Sequence, residues 1–176
     1  MKYFIQREVN RIDNRSLLLG KSLDENKSIT IAVINGPNIN KLGIREPGFY
    51  GIETWNDIEL RLKKLGNQLS IKLVFFQSNH EGYLVDFIQD HLSTIDGIVI
   101  NPAAYTKAGY AILDAITAID IPFVEIHLSN IYERGGWHSQ SIFAEKAVGH
   151  IVGFKGYGYD LSLIAIHNVL KNKGKQ

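Results

Sequence analysis

The chain has 176 residues, 19 basic and 18 acidic side chains, and 45% hydrophobic residues, a length and composition that fit one folded domain and exclude a disordered chain. Its formal net charge of +1 supplies no basic field for nucleic acid or an anionic membrane. The lack of cysteine removes disulfides, thiolate nucleophiles and cysteine-ligated zinc, and suits a reduced cytoplasm.

Residues 1–28 mix both charge signs without a sustained period. They read as a polar extension outside the main fold, with a short extra helix or edge strand as the alternative. Its apolar cluster Leu17–Leu19 is far shorter than the ~7–15 apolar residues of a signal peptide. No apolar run approaches the ~20 residues needed to span a bilayer, so the sequence predicts a soluble, cytoplasmic protein.

From there strands and helices alternate. Ile29–Asn35, an apolar run bounded by Gly36 and Pro37, is a buried-strand signature. Thr54 opens a helix to about Ser70: Ile58, Leu62, Leu65 and Leu69 recur at helical spacing, and Thr54 with Asp57 resembles a capping box. A second strand, Ile71–Gln77, precedes a helix over Gly82–His91, and Gly97–Asn101 is a third strand. A helix over Lys107–Ile119 follows Pro102, then a strand at Phe123–Leu128, a fifth at Val148–Phe154 and a closing helix over Tyr159–Leu170. This beat predicts an α/β fold, a parallel sheet covered on both faces. Five units suit a flavodoxin-like order better than a barrel, which needs about 250 residues.

Open parallel sheets bind ligands beyond the carboxyl ends of their strands. Here those ends are polar in each of the first four strands: Asn35 to Asn40, Gln77 to Glu81, Asn101, and His127 to Asn130. Any one is equally well a cap or a turn; four together favour a pocket rim. In the fourth strand Val124, Ile126 and Leu128 share one parity, and Glu125, His127 and Ser129 the other. That alternation makes His127 a candidate acid or base oriented by Glu125, since a carboxylate fixes an imidazole's tautomer. The loop after the first strand carries Arg45, Glu46 and Tyr50 among Gly43, Gly48 and Gly51, a density suited to a mobile lid. Tyr50 has two readings, an aromatic anchor for the loop, or a base whose pKa a nearby arginine lowers. No Walker motif, HExxH pair or carboxylate cluster occurs, so neither a nucleotide nor a metal is implied. The glycine run from Gly153 to Gly158 lacks the spacing of a dinucleotide loop and reads as the turn after the last strand.

Taken together, Ile34–Gly51, Phe76–Gly82, Ile100–Thr106, Val124–Arg134 and Val148–Tyr159 resemble the type II 3-dehydroquinate dehydratases, in the expected order and from about Ile29 to the last helix. The resemblance implies a flavodoxin-like catalytic domain over residues 29–176, assembled as a homododecamer built from trimers. It also implies elimination of water from 3-dehydroquinate to give 3-dehydroshikimate through an enolate, without metal or cofactor. That reaction serves the shikimate pathway towards chorismate and aromatic amino acids, and also quinate breakdown. By resemblance Tyr50 is the base, Arg45 keeps it ionised, His127 is the general acid with Glu125 behind it, and Asn38 positions a water at the enolate oxygen. Asn101, Ser129 and the Leu128 amide bind the substrate carboxylate, Ala103 is a further substrate-binding position, Arg134 belongs to a closing loop, and Asp114 to a neighbouring subunit's site.

Two positions depart from the family pattern. Lys107 stands where histidine normally follows the NPAAYT segment, and His138 where the loop carries a second arginine. Both face the substrate's hydroxyl side by resemblance. One reading is a compensating exchange of cation and imidazole that keeps dehydroquinate. The others are a paralogous dehydratase for a related carboxylated polyol, and a silent homologue, against which the intact set of Tyr50, Arg45, His127 and Glu125 argues.

Overall fold

Aliphatic and β-branched runs form the strands β1 (Thr30–Asn35), β2 (Lys72–Gln77), β3 (Gly97–Asn101), β4 (Phe123–His127) and β5 (Gly149–Val152). The computed structural model describes residues 28–44, 47–133 and 136–173; apart from Ser28, the extension expected over 1–28 lies outside them. The helices are α1 (Pro47–Tyr50), α2 (Trp55–Leu69), α3 (Glu81–Asp90), α4 (Tyr110–Ala118) and α5 (Tyr157–Asn172), joined by short 3-10 turns at Ile39–Lys41, Ala103–Lys107 and Gly136–Ser139. All strand pairs are parallel, in the order β2-β1-β3-β4-β5. This is the expected flavodoxin-like sheet, with its switch point between β1 and β3.

Alternate residues of the central strands feed two cores. Ile31, Val33, Val99, Val124 and Ile126 pack with Ile58 and Leu62 of α2 and with Leu163 and Ile166 of α5. Ala32, Ile34, Ile98 and Ile100 pack with Leu84 and Ile88 of α3 and with Ile112 and Ile116 of α4. Each such aliphatic side chain, fully buried, stabilises the fold by about 1.5–3 kcal/mol. Helices on both faces are therefore a consequence of the period-two burial of β1, β3 and β4.

The start of α2 is the capping box read from the sequence: Asp57 N–H donates to Thr54 Oγ1 at 3.2 Å and Thr54 N–H to Asp57 Oδ2 at 3.0 Å. The Thr54 hydroxyl, which donates to Asp57 Oδ2 at 2.6 Å, and then the Thr54 N–H hold the Asp57 carboxyl below the usual aspartate range. The fourth helix begins later than expected. Residues Ala103–Lys107 form 3-10 turns, Ala103 adopts a left-handed φ of 53°, and α4 starts only after Gly109. β5 is shorter than expected because Gly153, at φ 92°, turns the chain out of the sheet. Tyr157 and Gly158, read as part of that turn, belong to α5.

Candidate active site

The site sits where β1, β3 and β4 end. Gly36 N–H donates to the Asn101 carbonyl at 2.8 Å, so the chains leaving β1 and β3 run in contact. Only glycine permits this, since a Cβ at Gly36 would lie 2.2 Å from the Pro102 carbonyl oxygen. Asn38 adopts a left-handed backbone at φ 68°, and its N–H donates to Asn79 Oδ1 at 3.0 Å. Tyr105 Oη donates to the Asn79 carbonyl at 2.9 Å. Asn79, past the end of β2, thereby ties the first loop to the 3-10 turn after β3.

A cavity of about 180 Å³ opens between these loops. Asn38 and Tyr50 line it from the first loop, Asn101, Ala103 and Lys107 from the second, and His127, Leu128 and Ser129 from the end of β4. Eight of the residues singled out in the sequence therefore share one concave surface, with Ile39, Leu42 and Ile131 as its apolar wall. Tyr50 also packs against the core beneath, as the anchor reading expects, while it lines the cavity. Asp114 is exposed on α4 and is absent from this lining. Arg45, Arg134 and the side chain of His138 lie outside the described residues.

The polar face of β4 is organised around Glu125. This carboxylate is fully buried, and a charge there persists only if hydrogen-bonded. His127 Nε2 lies 2.8 Å from Glu125 Oε1. Ser141 Oγ lies 2.7 Å from Oε1 and 2.9 Å from Oε2, donating to the carboxylate, while it accepts from the Phe143 and Ala144 amides at 3.0 and 3.2 Å. With Nε2 committed to Glu125, the ring nitrogen of His127 left for a ligand is Nδ1.

Asn101 is engaged more deeply than a rim residue. Its Nδ2 donates to Tyr159 Oη at 2.9 Å, that hydroxyl donates to Asn35 Oδ1 at 2.7 Å, and the Ala103 amide donates to Asn101 Oδ1 at 3.2 Å. Burial drives the Tyr159 phenol far above the usual tyrosine range, against a smaller opposing effect of Asn101, so it remains a neutral strut.

His150 is a site neighbour that sequence reasoning did not single out. The β4–β5 register puts it beside Glu125, with Nε2 3.5 Å from Oε2 and its ring 5.3 Å from that of His127. Burial lowers its pKa, opposed by Glu125 and reinforced by His127. Glu125, His127 and His150 are also the group of side chains, among the described residues, with the donor atoms to hold a metal. Ser141 was missed too, because it stands in an irregular stretch without periodicity. Among the described residues no helix is long and apolar enough to cross a membrane.

Comparison with known proteins identifies the family. The sequence model for the family described as Dehydroquinase class II matches residues 29–167. A 3-dehydroquinate dehydratase of Prochlorococcus marinus is 48% identical over 145 residues, covering 82% of this chain and 99% of that protein. A catabolic 3-dehydroquinase of Talaromyces marneffei is 47% identical over 134 residues, covering 76% of this chain and 77% of that one. The crystal structure of the type II dehydroquinase from Butyrivibrio crossotus superposes with a TM-score of 0.76 at 39% identity, covering 79% of this chain and 97% of the other. On its sequence and its fold, the chain belongs to the class II dehydroquinase family.

Proposed function

We propose that the protein is a hydro-lyase that eliminates water from 3-dehydroquinate to give 3-dehydroshikimate. The observation that carries this reading is the meeting of Tyr50 and His127 in one cavity, with His127 fixed by a buried carboxylate at 2.8 Å.

Tyr50, held ionised by Arg45, takes a proton from the carbon beside the ketone. The electron pair moves onto the ketone oxygen as an enolate, stabilised by a water that Asn38 positions; without such stabilisation this proton is too weakly acidic to remove. Collapse of the enolate expels the hydroxyl group, which His127 protonates so that it leaves as water. Glu125 holds the ring and stabilises its imidazolium form before that transfer. Asn101, the Leu128 amide and Ser129 bind the substrate carboxylate, Ala103 adds a substrate contact, and Lys107 with His138 receives the hydroxyl side. Arg134 closes the site. No step needs a metal or a cofactor.

Asp114 belongs to the site of an adjacent subunit in a homododecamer of trimers, a reading supported by its exposure on α4 and its absence from its own chain's cavity. The enzyme works in the cytoplasm, in keeping with a chain without cysteine, and its product feeds aromatic biosynthesis.

A second reading has its own observation: Lys107, a departure from the family pattern, lines the cavity, and lysine does not replace a directional imidazole contact one for one. In that reading the protein dehydrates a related carboxylated polyol. Incubation with 3-dehydroquinate, followed by ultraviolet absorbance of the conjugated enone, separates the two. Turnover of about 1 s⁻¹ or faster supports dehydroquinate as substrate. Folded protein without turnover, recovered in the K107H/H138R double variant, supports the altered substrate.

A further inference from the structure

Glu125 and His150 are register partners on β4 and β5, and His127 follows two residues along the same face of β4. Parity therefore points three side chains with metal-ligating atoms to one side of the sheet. One donor atom from each lies within 4.8 Å of the others. His150 Nε2 is buried without a hydrogen-bond partner, although it stands 3.5 Å from Glu125 Oε2, at the outer limit of hydrogen bonding. Zinc bonds of about 2.0–2.2 Å in tetrahedral geometry put neighbouring donors about 3.3–3.6 Å apart. The spacing that makes a poor hydrogen bond is thus one edge of a zinc tetrahedron.

We propose that Glu125, His127 and His150 form a site for a borderline transition-metal ion such as Zn²⁺, and that its occupation silences the acid–base pair. Two imidazoles and one carboxylate select zinc or cobalt over magnesium or calcium, which take oxygen-rich sites. Partners that orient such ligands are already in place. Tyr132 Oη lies 3.3 Å from His150 Nδ1, and Ser141 holds the carboxylate. His127 lines the cavity, so an ion held on its Nε2 sits directly behind the ring that the cavity presents.

Coordination through Nε2 requires a neutral ring, so a His127 imidazolium releases its second proton to solvent as the ion binds. Each neutral imidazole carries its hydrogen on Nδ1 and offers the Nε2 lone pair, so His150 Nδ1–H donates to Tyr132 Oη. The bond between His127 and Glu125 is lost to coordination. A ring ligated through Nε2 no longer forms the imidazolium that protonates a leaving hydroxyl. Binding of the ion is independent of the reaction proposed above; its inhibitory effect rests on that reading.

The test titrates the EDTA-treated full chain with Zn²⁺ by calorimetry, records visible absorption of the Co²⁺-loaded protein, and follows dehydroquinate turnover with and without Zn²⁺. Wild type is compared with H150V and H150N, two variants that differ in polarity so that a folding defect in one leaves the other. One ion per chain is expected, with the intense absorption of tetrahedral Co²⁺ and turnover that falls with Zn²⁺ and returns with EDTA. Both variants bind at least about 10–100-fold more weakly, since even an outer partner of a metal ligand is worth that much and His150 is itself a ligand. Equal Zn²⁺ affinity in wild type and both variants, or binding of Zn²⁺ no tighter than Mg²⁺, overturns the site. Binding that depends on His150 but leaves turnover unchanged overturns the inhibitory half. Binding that depends on His150 in a protein inert towards dehydroquinate upholds the site and refutes the assigned reaction.

Discussion

His127 Nε2 lies 2.8 Å from Glu125 Oε1, two residues back on the same strand, so a single β-strand supplies both the cavity imidazole and the carboxylate that orients it. The parity of β4 makes this possible: residues i and i+2 face the same side. The carboxylate is buried and also takes the Ser141 hydroxyl. Replacing Glu125 by Gln keeps the volume and removes the carboxylate that fixes the ring's orientation and tautomer. E125Q is expected to lower kcat by about 10–100-fold with little change in KM, the usual cost of losing an orienting partner. Steady-state kinetics check the split.

Tyr50 lines the cavity and packs on the core beneath it. Y50F keeps the packing and removes the ionisable oxygen. It is expected to reduce kcat by about 10²–10⁴-fold, the contribution of a general base, with a smaller loss of melting temperature than Y50A. Y50A is expected to lower both. An active Y50F enzyme leaves Tyr50 only its anchoring role.

The Tyr159 hydroxyl joins Asn35 and Asn101 beneath the cavity floor. Y159F strips a partner from two buried amide side chains and costs about 1–3 kcal/mol of stability, the penalty for unsatisfied buried polar groups. Urea denaturation measures it directly.

His167 is buried on α5 with Nε2 unpartnered, and its pKa is lowered by burial first and by Lys171 second. The folded state therefore disfavours its protonation. The stability tied to its neutral form is intact above the ordinary imidazole pKa and is lost as pH falls towards the lowered folded value. Between pH 7 and pH 5 the urea midpoint of wild type is expected to fall more than that of H167Q. Equal slopes contradict the assignment.

The architecture was legible because the apolar runs of β1, β3 and β4 are short, complete and punctuated by glycine, proline or asparagine. The helical spacing of Ile58 and Leu62, with Thr54 and Asp57 at its start, also marked α2 unambiguously. The Glu125 and His127 pair showed in the parity of one strand. His150 did not, because its place beside Glu125 comes from pairing two strands whose connection spans the irregular residues 128–148, and no local pattern encodes that register. The hold of Tyr159 on Asn101 joins residues 58 positions apart, which likewise leaves no local trace. The late start of α4 depends on the left-handed Ala103 and on the turns before Gly109, a tertiary arrangement that the helix-favouring composition of 107–119 conceals.

The central claim is the division of labour between Tyr50 as base and His127 as acid, and proton exchange tests it most directly. The measurement is proton NMR of 3-dehydroquinate in D₂O with wild type, H127N and Y50F. The account predicts that wild type eliminates water, that H127N puts deuterium on the carbon beside the ketone while elimination falls by about 10²–10⁴-fold, the scale of a lost general acid, and that Y50F does neither. Elimination by H127N at the wild-type rate, or exchange by Y50F as fast as by wild type, would contradict it.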